Sequence, residues 1–252
     1  MKRNYIYESP VYDLRELSRR NLHIHTCYSR CGKADMLVSR VVAEADRAGL
    51  EMIAFTDHFN YFDFDGVCLA QCAAQRLMAE KIPHKVKILY GAELSNYDIG
   101  KQLELPSTNA ALDIRLYACN HFQMEVFAHP EDKTARGYAL HLLKATKELM
   151  LSGKADCVAH PLIGMRVPVC EVPEVGLAMT DNELGSICEL SRLTHTALEL
   201  NRAAVFSDPM LYRRLYNLGR EAGAFFHFGS DAHSIEWIDP SGYIGDLENL
   251  LN

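Results

Sequence analysis

The sequence predicts an α/β fold in which seven parallel strands and their connecting helices form a closed or nearly closed barrel. Three observations lead to this prediction. Short, apolar, β-prone runs alternate with amphipathic helical stretches, which is the pattern of repeated strand–helix units. The length of 252 residues fits one large domain, and we expect a single domain over residues 1–252. Hydrophobic residues make up 48% of the chain, which is enough to fill a sizeable core.

Seven apolar runs are the candidate strands of this barrel. They are Leu22–His25, Met52–Thr56, Val86–Glu93, Ile114–Ala118, Cys157–Ala159, Ala197–Asn201 and Ala224–Gly229. A doubly wound open sheet is the main alternative, but such a sheet more often carries a glycine-rich phosphate loop after its first strand. Residues 25–33 contain neither a GxGxxG motif nor a Walker motif, which favours the barrel.

Helical periodicity fills most of the gaps between these strands. It is clearest at Leu37–Ala48, Val67–Lys81, Tyr138–Leu151, Asn182–Leu193 and Pro209–Ala222. Gly49 and Gly223 follow two of these segments just before a strand, where glycine is typical of a helix end. The weakly periodic stretch Gly164–Thr180 is expected to be a long loop that shapes or covers a substrate pocket.

Composition narrows the classes of function. The net charge of −7 disfavours binding of extended nucleic acid, which usually needs a basic surface. No apolar run has membrane-spanning length, and the first residues lack the apolar region of a signal peptide. The eight cysteines are scattered, without a CxxC pair or the spacing of a disulfide scaffold. We therefore expect a soluble, cytoplasmic protein whose thiols are mostly reduced and buried.

Residues of metal-ligating type stand at the carboxyl ends of six of the seven candidate strands. The first strand ends in His23-Ile24-His25, whose imidazoles point to the same side because side chains alternate along a strand. The other strand-end residues are Asp57, His58, Glu93, His121, His160, Asp231 and His233. A single histidine at a strand end is as often held by a structural hydrogen bond as it is bound to a metal ion. Six strands that agree predict a site at the barrel end where active sites are assembled.

The size of this set indicates the chemistry. Six histidines and three acids exceed what one zinc ion needs, because catalytic zinc sites use three protein ligands and water. Two ions a few ångströms apart stabilise both the attacking and the leaving oxygen of an in-line displacement, as phosphate ester hydrolysis requires. Mixed nitrogen and oxygen ligation suits Zn, Mn or Fe better than Mg or Ca. We expect two or three such divalent ions in a metal-dependent phosphoric ester hydrolase.

The order of these motifs resembles the PHP (polymerase and histidinol phosphatase) family. HxH is followed by Thr-Asp-His, Gly-x-Glu, a histidine, His-Pro and Gly-Ser-Asp-Ala-His. The resemblance runs from Leu22 to His233, and the motifs at residues 23–26 and 229–233 are its most specific parts. It implies a distorted (β/α)7 TIM-like barrel, in agreement with the seven candidate strands, and an activity similar to that of histidinol phosphatase.

The resemblance also implies which residues would share each metal ion. The first ion would be held by His23, His25, Glu93 and Asp231, the second by Glu93, His121 and His160, and the third by His58, His233 and a residue of the loop after the first strand. A metal-bound hydroxide would be the nucleophile. Asp231 or His233 would assist proton transfer to the leaving group.

Two positions leave the ligand set open. Where many family members carry a further histidine after HxH, this chain reads Ser29-Arg30-Cys31-Gly32. Cys31 either replaces that histidine as a thiolate ligand or is an ordinary loop cysteine. On the fourth strand His121 is preferred to His129, because residues 113–121 resemble the family's strand leading into its histidine.

Substrate phosphate needs positive charge beyond the metal ions. Arg166 follows His160-Pro161, Arg202 follows the sixth strand, and Arg30 lies on the loop after HxH. A single arginine in such a position is more often a solvated surface charge than a phosphate ligand. As a group they are candidates for binding the phosphoryl oxygens.

The function expected from the sequence is hydrolysis of a small phosphomonoester at a dinuclear or trinuclear site. A phosphodiesterase or nuclease of the same family is one alternative. A non-catalytic metal-binding scaffold is another, although the nearly complete ligand set argues against it. A hydrolase of C–N bonds on a related barrel would usually place a bridging lysine on a mid-barrel strand, and no candidate strand ends in lysine.

Overall fold

The computed structural model describes residues 6–62 and 66–252, and within them nine strands form one sheet. The strands are β1 (Arg20–Ile24), β2 (Met52–Phe55), β3 (His58–Phe59), β4 (Lys87–Asp98), β5 (Lys101–Gln102), β6 (Ile114–Ala118), β7 (Cys157–Val158), β8 (Ala197–Asn201) and β9 (Phe226–Gly229). The seven predicted strands are confirmed with small shifts at their ends, except that β4 continues past the predicted end at Glu93 to Asp98.

Seven of these strands close into a parallel barrel. Around the barrel the order is β1, β2, β4, β6, β7, β8 and β9, and the pairing of β9 with β1 completes the ring. The short strand β3 pairs with β4 in parallel, and β5 folds back against β4 as an antiparallel hairpin. The (β/α)7 TIM-like barrel is confirmed, and the open doubly wound sheet is excluded.

Helices surround the barrel. They are α1 (Leu14–Ser18), α2 (Val38–Arg47), α3 (Val67–Ala79), α4 (Pro106–Ala111), α5 (Ala135–Ser152), α6 (Val172–Leu177), α7 (Asp181–Thr194), α8 (Arg202–Ser207), α9 (Pro209–Ala222) and α10 (Ile244–Leu251). Their buried faces join the outward faces of the strands in one continuous apolar core. No helix in the described ranges is long and apolar enough to cross a bilayer.

The predicted loop Gly164–Thr180 is partly wrong, because it contains the helix α6. This helix has six residues, too few for apolar periodicity to show in the sequence. It begins with a capping box, in which the side chains of Glu171 and Glu174 each accept a hydrogen bond from the other residue's backbone N–H. The local signal for α6 is therefore its cap and not its periodicity.

The amino end of the barrel is held by a buried ion pair. The backbone N–H of Arg115 in β6 donates to Asp156 Oδ2 at 2.9 Å, and its guanidinium donates to both carboxylate oxygens at 2.6 and 2.7 Å. Asp156 comes just before β7, so the pair joins neighbouring strands at the end of the barrel away from the strand-end histidines. The buried polar groups at the amino end therefore join strands, while the histidines lie at the carboxyl end.

Candidate metal centre

The carboxyl ends of the barrel strands bring the predicted ligands together. His23 and His25, at the end of β1, are fully buried, and Glu93 in β4 is 1% exposed. His58 begins β3, while His121 and His160 follow β6 and β7. Asp231 and His233 follow β9 and complete the ring. The six predicted histidines and the two predicted carboxylates therefore face one another at one end of the barrel.

Four ligand atoms surround a first candidate position. His23 Nε2 lies 3.0 Å from His25 Nε2 and 3.5 Å from Asp231 Oδ1. His25 Nε2 lies 3.0 Å from the same Asp231 oxygen, and both imidazole nitrogens lie 3.6 Å from Glu93 Oε2. Ligands about 2.1 Å from one tetrahedral ion lie roughly 3.4 Å from each other. The spacing of these four atoms matches a divalent ion at their centre.

Glu93 faces a second group of ligands with its other oxygen. Glu93 Oε1 lies 2.8 Å from His160 Nε2 and 3.4 Å from His121 Nε2. The remaining contact of Glu93 is with His58, whose Nδ1 lies 2.7 Å from Oε2. A carboxylate that points one oxygen at each of two imidazole groups has the arrangement of a bridging ligand between two ions.

A third group lies on the solvent side of the first. Ligand atoms of His25, Cys31, His58 and His233 lie within 4.8 Å of one another. His233 Nε2 lies 3.0 Å from Cys31 Sγ. Burial alone raises the pKa of the Cys31 thiol, but hydrogen bonds with His233 and His58 lower it to about 7. The loop cysteine thus belongs to the same cluster as the strand-end histidines.

The charges of the cluster favour a bound cation. Burial opposes ionisation of Glu93 and Asp231, yet the surrounding histidines hold the pKa of both carboxyls well below the usual range. Burial lowers the pKa of His25 to about 4 and that of His121 to about 3, whereas the neighbouring carboxylates outweigh burial and raise the pKa of His23, His160 and His58, the last to about 10, so a bound cation would take the place of protons on these three imidazoles. Ionised carboxylates and neutral imidazoles are the protonation states in which these side chains bind metal.

Buried polar atoms without hydrogen bonds provide the test of fit. Among the described residues, Glu93 Oε2 and His58 Nδ1 have no hydrogen-bond partner although they lie 2.7 Å apart. Their orientation does not allow a hydrogen bond, and a buried carboxylate oxygen without a partner is costly. Metal ions bound in the cluster would satisfy both atoms. Both the distances between the ligand atoms and the buried atoms that lack hydrogen bonds therefore fit a metal cluster.

The model of the PHP domain family matches residues 21–217, most of the chain and every predicted ligand except those after β9. The chain belongs to the PHP family. This confirms the resemblance drawn from the order of the motifs. Phosphoesterases of this family are metal-dependent, in agreement with the histidine and carboxylate clusters at the barrel end.

Two kinds of curated relatives match this PHP domain. "DNA polymerase/3'-5' exonuclease PolX" of Bacillus subtilis is 29% identical over 238 residues, which cover 87% of this chain and 35% of PolX. A "Probable phosphatase" of Aliivibrio fischeri is 23% identical over 229 residues, which cover 86% of this chain and 78% of that protein. The chain thus spans about a third of PolX and most of the phosphatase.

A solved structure has the same fold as this PHP domain. It is the crystal structure of the "putative histidinol phosphatase hisK" from Listeria monocytogenes, with a TM-score of 0.61 and 16% sequence identity. The match covers 89% of this chain and 98% of the other. This likeness shows the fold, while the PHP family and the phosphatase relative support a hydrolase that acts on phosphate esters.

Glu199 in β8 is a site residue that the sequence analysis missed. Its Oε1 accepts a hydrogen bond from His23 Nδ1 at 2.7 Å, and its Oε2 accepts one from the backbone N–H of His160 at 2.6 Å. Asn201 Nδ2 also donates to Oε2, at 3.2 Å. Because His23 donates through Nδ1, its Nε2 presents a lone pair to the first metal position. The only signal in the sequence was an acidic residue within an apolar strand.

Asp57 was counted among the ligand types in the sequence, and the structure gives it another task. Its two oxygens accept hydrogen bonds from the backbone N–H and hydroxyl of Thr26 and of Ser29, and from Gln75 Nε2 at 2.5 Å. Because both oxygens are occupied, Asp57 is not available to a metal ion. It fixes the loop after β1, which carries Cys31.

Two site residues of the PHP domain adopt a backbone conformation that is rare outside glycine. His160 has a φ of 29° and Asp231 a φ of 54°. Left-handed conformations of such residues are strained and persist where surrounding contacts enforce them. For His160 that contact is the hydrogen bond from its backbone N–H to Glu199.

The three predicted phosphate-binding arginines lie in different settings. Arg202 begins α8 next to Asn201, and its guanidinium carbon lies 4.7 Å from the ring centre of Trp237 and 4.9 Å from that of Tyr243. Arg166 lies exposed between β7 and α6, with a left-handed φ of 62°. Arg30 is exposed on the loop after β1. The rings of Trp237 and Tyr243 therefore hold the Arg202 guanidinium in place.

Proposed function

We propose that this PHP domain hydrolyses a small phosphomonoester at a site that holds two or three divalent ions, with Zn, Mn and Fe as the candidates. The observation that carries the proposal is the position of Glu93, with one oxygen toward His23 and His25 and the other toward His121 and His160. A carboxylate placed in this way would be shared by two ions, which would supply positive charge to the attacking and leaving oxygens of a phosphate ester.

The residues of the site divide the work as follows. Bound ions would supply Lewis-acid charge to the phosphoryl oxygens and lower the pKa of a water molecule. Asp231 contacts the first position through Oδ1, and its Oδ2 lies 3.4 Å from Asn201 Nδ2. His233 lies at the partly exposed rim. We propose that Asp231 or His233 assists proton transfer to the leaving oxygen.

Phosphate recognition is assigned to Arg166, Arg202 and Arg30. Arg202 is the best placed of the three, because aromatic rings confine its guanidinium beside the strand that carries Glu199. Its Nε is buried and has no hydrogen-bond partner in the described part of the chain. A guanidinium with an unused Nε donor at the carboxyl end of β8 suits a contact with phosphate.

The direct test is replacement of His25 or Asp231 by alanine, with hydrolysis of p-nitrophenyl phosphate as the readout. Loss of a first-position ligand should lower kcat/KM by more than about 100-fold, because changes even to groups behind metal ligands cost 10–100-fold. His84→Ala is the matched control, since His84 is exposed and its hydrogen bond within residues 6–62 and 66–252 is a local one, to Ile82 O at 2.7 Å. Full activity in the His25 and Asp231 variants would refute the site assignment.

Hydrolysis of a phosphodiester is the second candidate, and the relationship to PolX favours it. A diesterase would release nucleotides from the 3′ end of a single-stranded DNA oligonucleotide at the same metal centre. The net charge of −7 argues for the small monoester. Comparison of kcat/KM for p-nitrophenyl phosphate and bis-p-nitrophenyl phosphate, with an oligonucleotide degradation assay, separates the two. Preference for the diester or the oligonucleotide would replace the monoesterase proposal.

A further inference from the structure

The loop after β1 holds Cys31 in a defined place above the cluster. The backbone N–H of Lys33 donates to His233 O at 3.0 Å, and that of Gly32 donates to Ser29 O at 3.0 Å. A Cβ on Gly32 would lie 2.2 Å from Thr26 O, so the chain turns here more tightly than other residues allow. These contacts join the loop to the strand-end residues and place Cys31 beside His233.

The orientation of His233 shows what faces the sulfur. Its Nδ1 lies 2.8 Å from the carbonyl oxygen of Asp231. A carbonyl only accepts hydrogen bonds, so Nδ1 carries a proton, and Nε2 is the nitrogen whose lone pair the neutral, metal-binding form of the ring would present. That Nε2 is the atom 3.0 Å from Cys31 Sγ. The nitrogen lone pair and the sulfur therefore converge as two metal ligands do.

His58 contributes the third ligand of this position. The His25 ring centre lies 4.4 Å from that of His58 and 4.3 Å from that of His233, and the His58 and His233 ring centres lie 6.3 Å apart. Ligand atoms of His58, His233 and Cys31 lie within 4.8 Å of each other. This donor set has one sulfur and two nitrogens, whereas the first position has two nitrogens and two carboxylate oxygens. The two sets therefore differ in softness.

We propose that Cys31, His58 and His233 form a thiolate position that selects a thiophilic ion, Zn²⁺ in preference to Mn²⁺, beside the carboxylate-bridged pair. Thiolate favours Zn²⁺, while carboxylate and imidazole together also accept Mn²⁺. The centre would then be of mixed metal composition. This inference rests on the proposed metal-dependent function and adds to it the identity of one ion.

Cobalt spectroscopy on the full chain tests the thiolate ligand directly. Protein loaded with Co²⁺ should show a thiolate-to-cobalt charge-transfer band in the near ultraviolet, and Cys31→Ser should lose it. Cys27→Ser is the matched control, because Cys27 is exposed on the same loop, four residues earlier. The band should persist in that variant. A band that survives in Cys31→Ser, or no band in the wild-type protein, overturns the proposal.

Metal competition tests the selectivity. After dialysis against excess Mn²⁺ with limiting Zn²⁺, the wild-type protein should retain roughly one more equivalent of Zn²⁺ than Cys31→Ser. Cys31→His should recover the total metal content but lose the charge-transfer band and much of the preference for Zn²⁺. Equal Zn²⁺ retention in the wild-type protein and Cys31→Ser would refute the selectivity.

The outcomes separate this inference from the proposed function. If Cys31→Ser binds the same ions as wild type and p-nitrophenyl phosphate turnover remains sensitive to chelator, the thiolate position is refuted and the phosphoesterase stands. If no Co²⁺, Zn²⁺ or Mn²⁺ binds the wild-type chain, both fail. In that case the contact of Cys31 with His233 is an ion pair or a hydrogen bond without metal.

Discussion

Glu199 is a buried carboxylate beneath the metal ligands, with Oε1 2.7 Å from His23 Nδ1 and Oε2 2.6 Å from the backbone nitrogen of His160. It contacts ligands of both the first and the second position without being a predicted ligand itself. A carboxylate behind a metal-binding imidazole fixes the tautomer and the ring orientation and raises the basicity of the ligand. Glu199 therefore controls the metal site through His23 and His160.

Glu199→Gln should weaken metal binding with little change in side-chain volume. Its amide can accept through one atom only, whereas His23 Nδ1–H and the His160 N–H both require an acceptor. We expect the affinity for the tightest Zn²⁺ to fall about 10–100-fold, measured by competition with a chromophoric chelator. Glu221→Gln, on the exposed surface of α9, is the control. Equal affinity in the two variants would contradict this role.

Gly229 explains how the buried Glu199 carboxylate is accommodated. A Cβ at position 229 would lie 1.9 Å from Glu199 Oε1 and 2.6 Å from His23 Cβ. Gly229→Ala should therefore lower the free energy of unfolding by about 1–3 kcal/mol, as overpacking does, and also lower metal content. Urea unfolding and elemental analysis measure both effects.

A second glycine provides the control of opposite sign. A Cβ at Gly185 in α7 would have no neighbour within 4 Å. Gly185→Ala should raise the free energy of unfolding by about 0.5–1 kcal/mol, because alanine is favoured over glycine within a helix. If Gly229→Ala is as well tolerated as Gly185→Ala, the close packing of Glu199 at the site is refuted.

The ligands themselves were predictable from the sequence, and the residues behind them were not. His23 and His25 were identifiable because alternation along a strand fixes the side on which they lie. Glu199 and Asp57 act through hydrogen bonds that depend on neighbouring strands and helices, such as the bond from Gln75 to Asp57. The sequence therefore placed Asp57 with the ligands and left Glu199 in an ordinary strand.

At the scale of single elements, ion pairs away from the metal site join neighbouring strands and neighbouring helices. Arg115 in β6 and Asp156 before β7 are both buried, and three donors of Arg115 converge on one carboxylate. On the outside, Arg214 of α9 and Asp181 of α7 form a more exposed ion pair at 2.8 Å. The two pairs have similar chemistry and different burial, which allows a matched comparison.

Asp156→Asn should lower the free energy of unfolding by about 3–5 kcal/mol, because it leaves a buried guanidinium without its carboxylate. Asp181→Asn should cost less than about 1 kcal/mol, because water screens and solvates the exposed pair. Urea unfolding of both variants at neutral pH is the measurement. Similar losses in the two variants would show that burial does not set the strength of the Arg115–Asp156 pair.

Elements with strong periodicity were predicted closely, and short ones were not. The helix predicted at Pro209–Ala222 has those bounds in the structure, and Gly223 ends it with a left-handed φ of 77°. In contrast, α6 is too short to show a repeat, and β4 continues past Glu93 to Asp98 because it pairs there with β5. Tertiary pairing, and not local preference, sets such boundaries.

At the scale of the whole molecule, the closed barrel assembles the candidate metal site. Six strands deliver ligands to one end because parallel strands share a direction, and closure through β1 and β9 brings Asp231 to within 3.0 Å of His25. An open sheet would leave the first and last motifs at separate places. The ligands of successive motifs therefore form a ring only because the barrel closes.

The measurement that tests this account most directly is the metal content of the untagged protein by elemental analysis, followed by p-nitrophenyl phosphate turnover with and without chelator. We predict two or three equivalents of Zn, Mn or Fe per chain, and turnover that chelator abolishes and added metal restores. Metal near zero, with no turnover after Mn²⁺ or Zn²⁺ is added, would contradict the phosphoesterase and favour a non-catalytic scaffold.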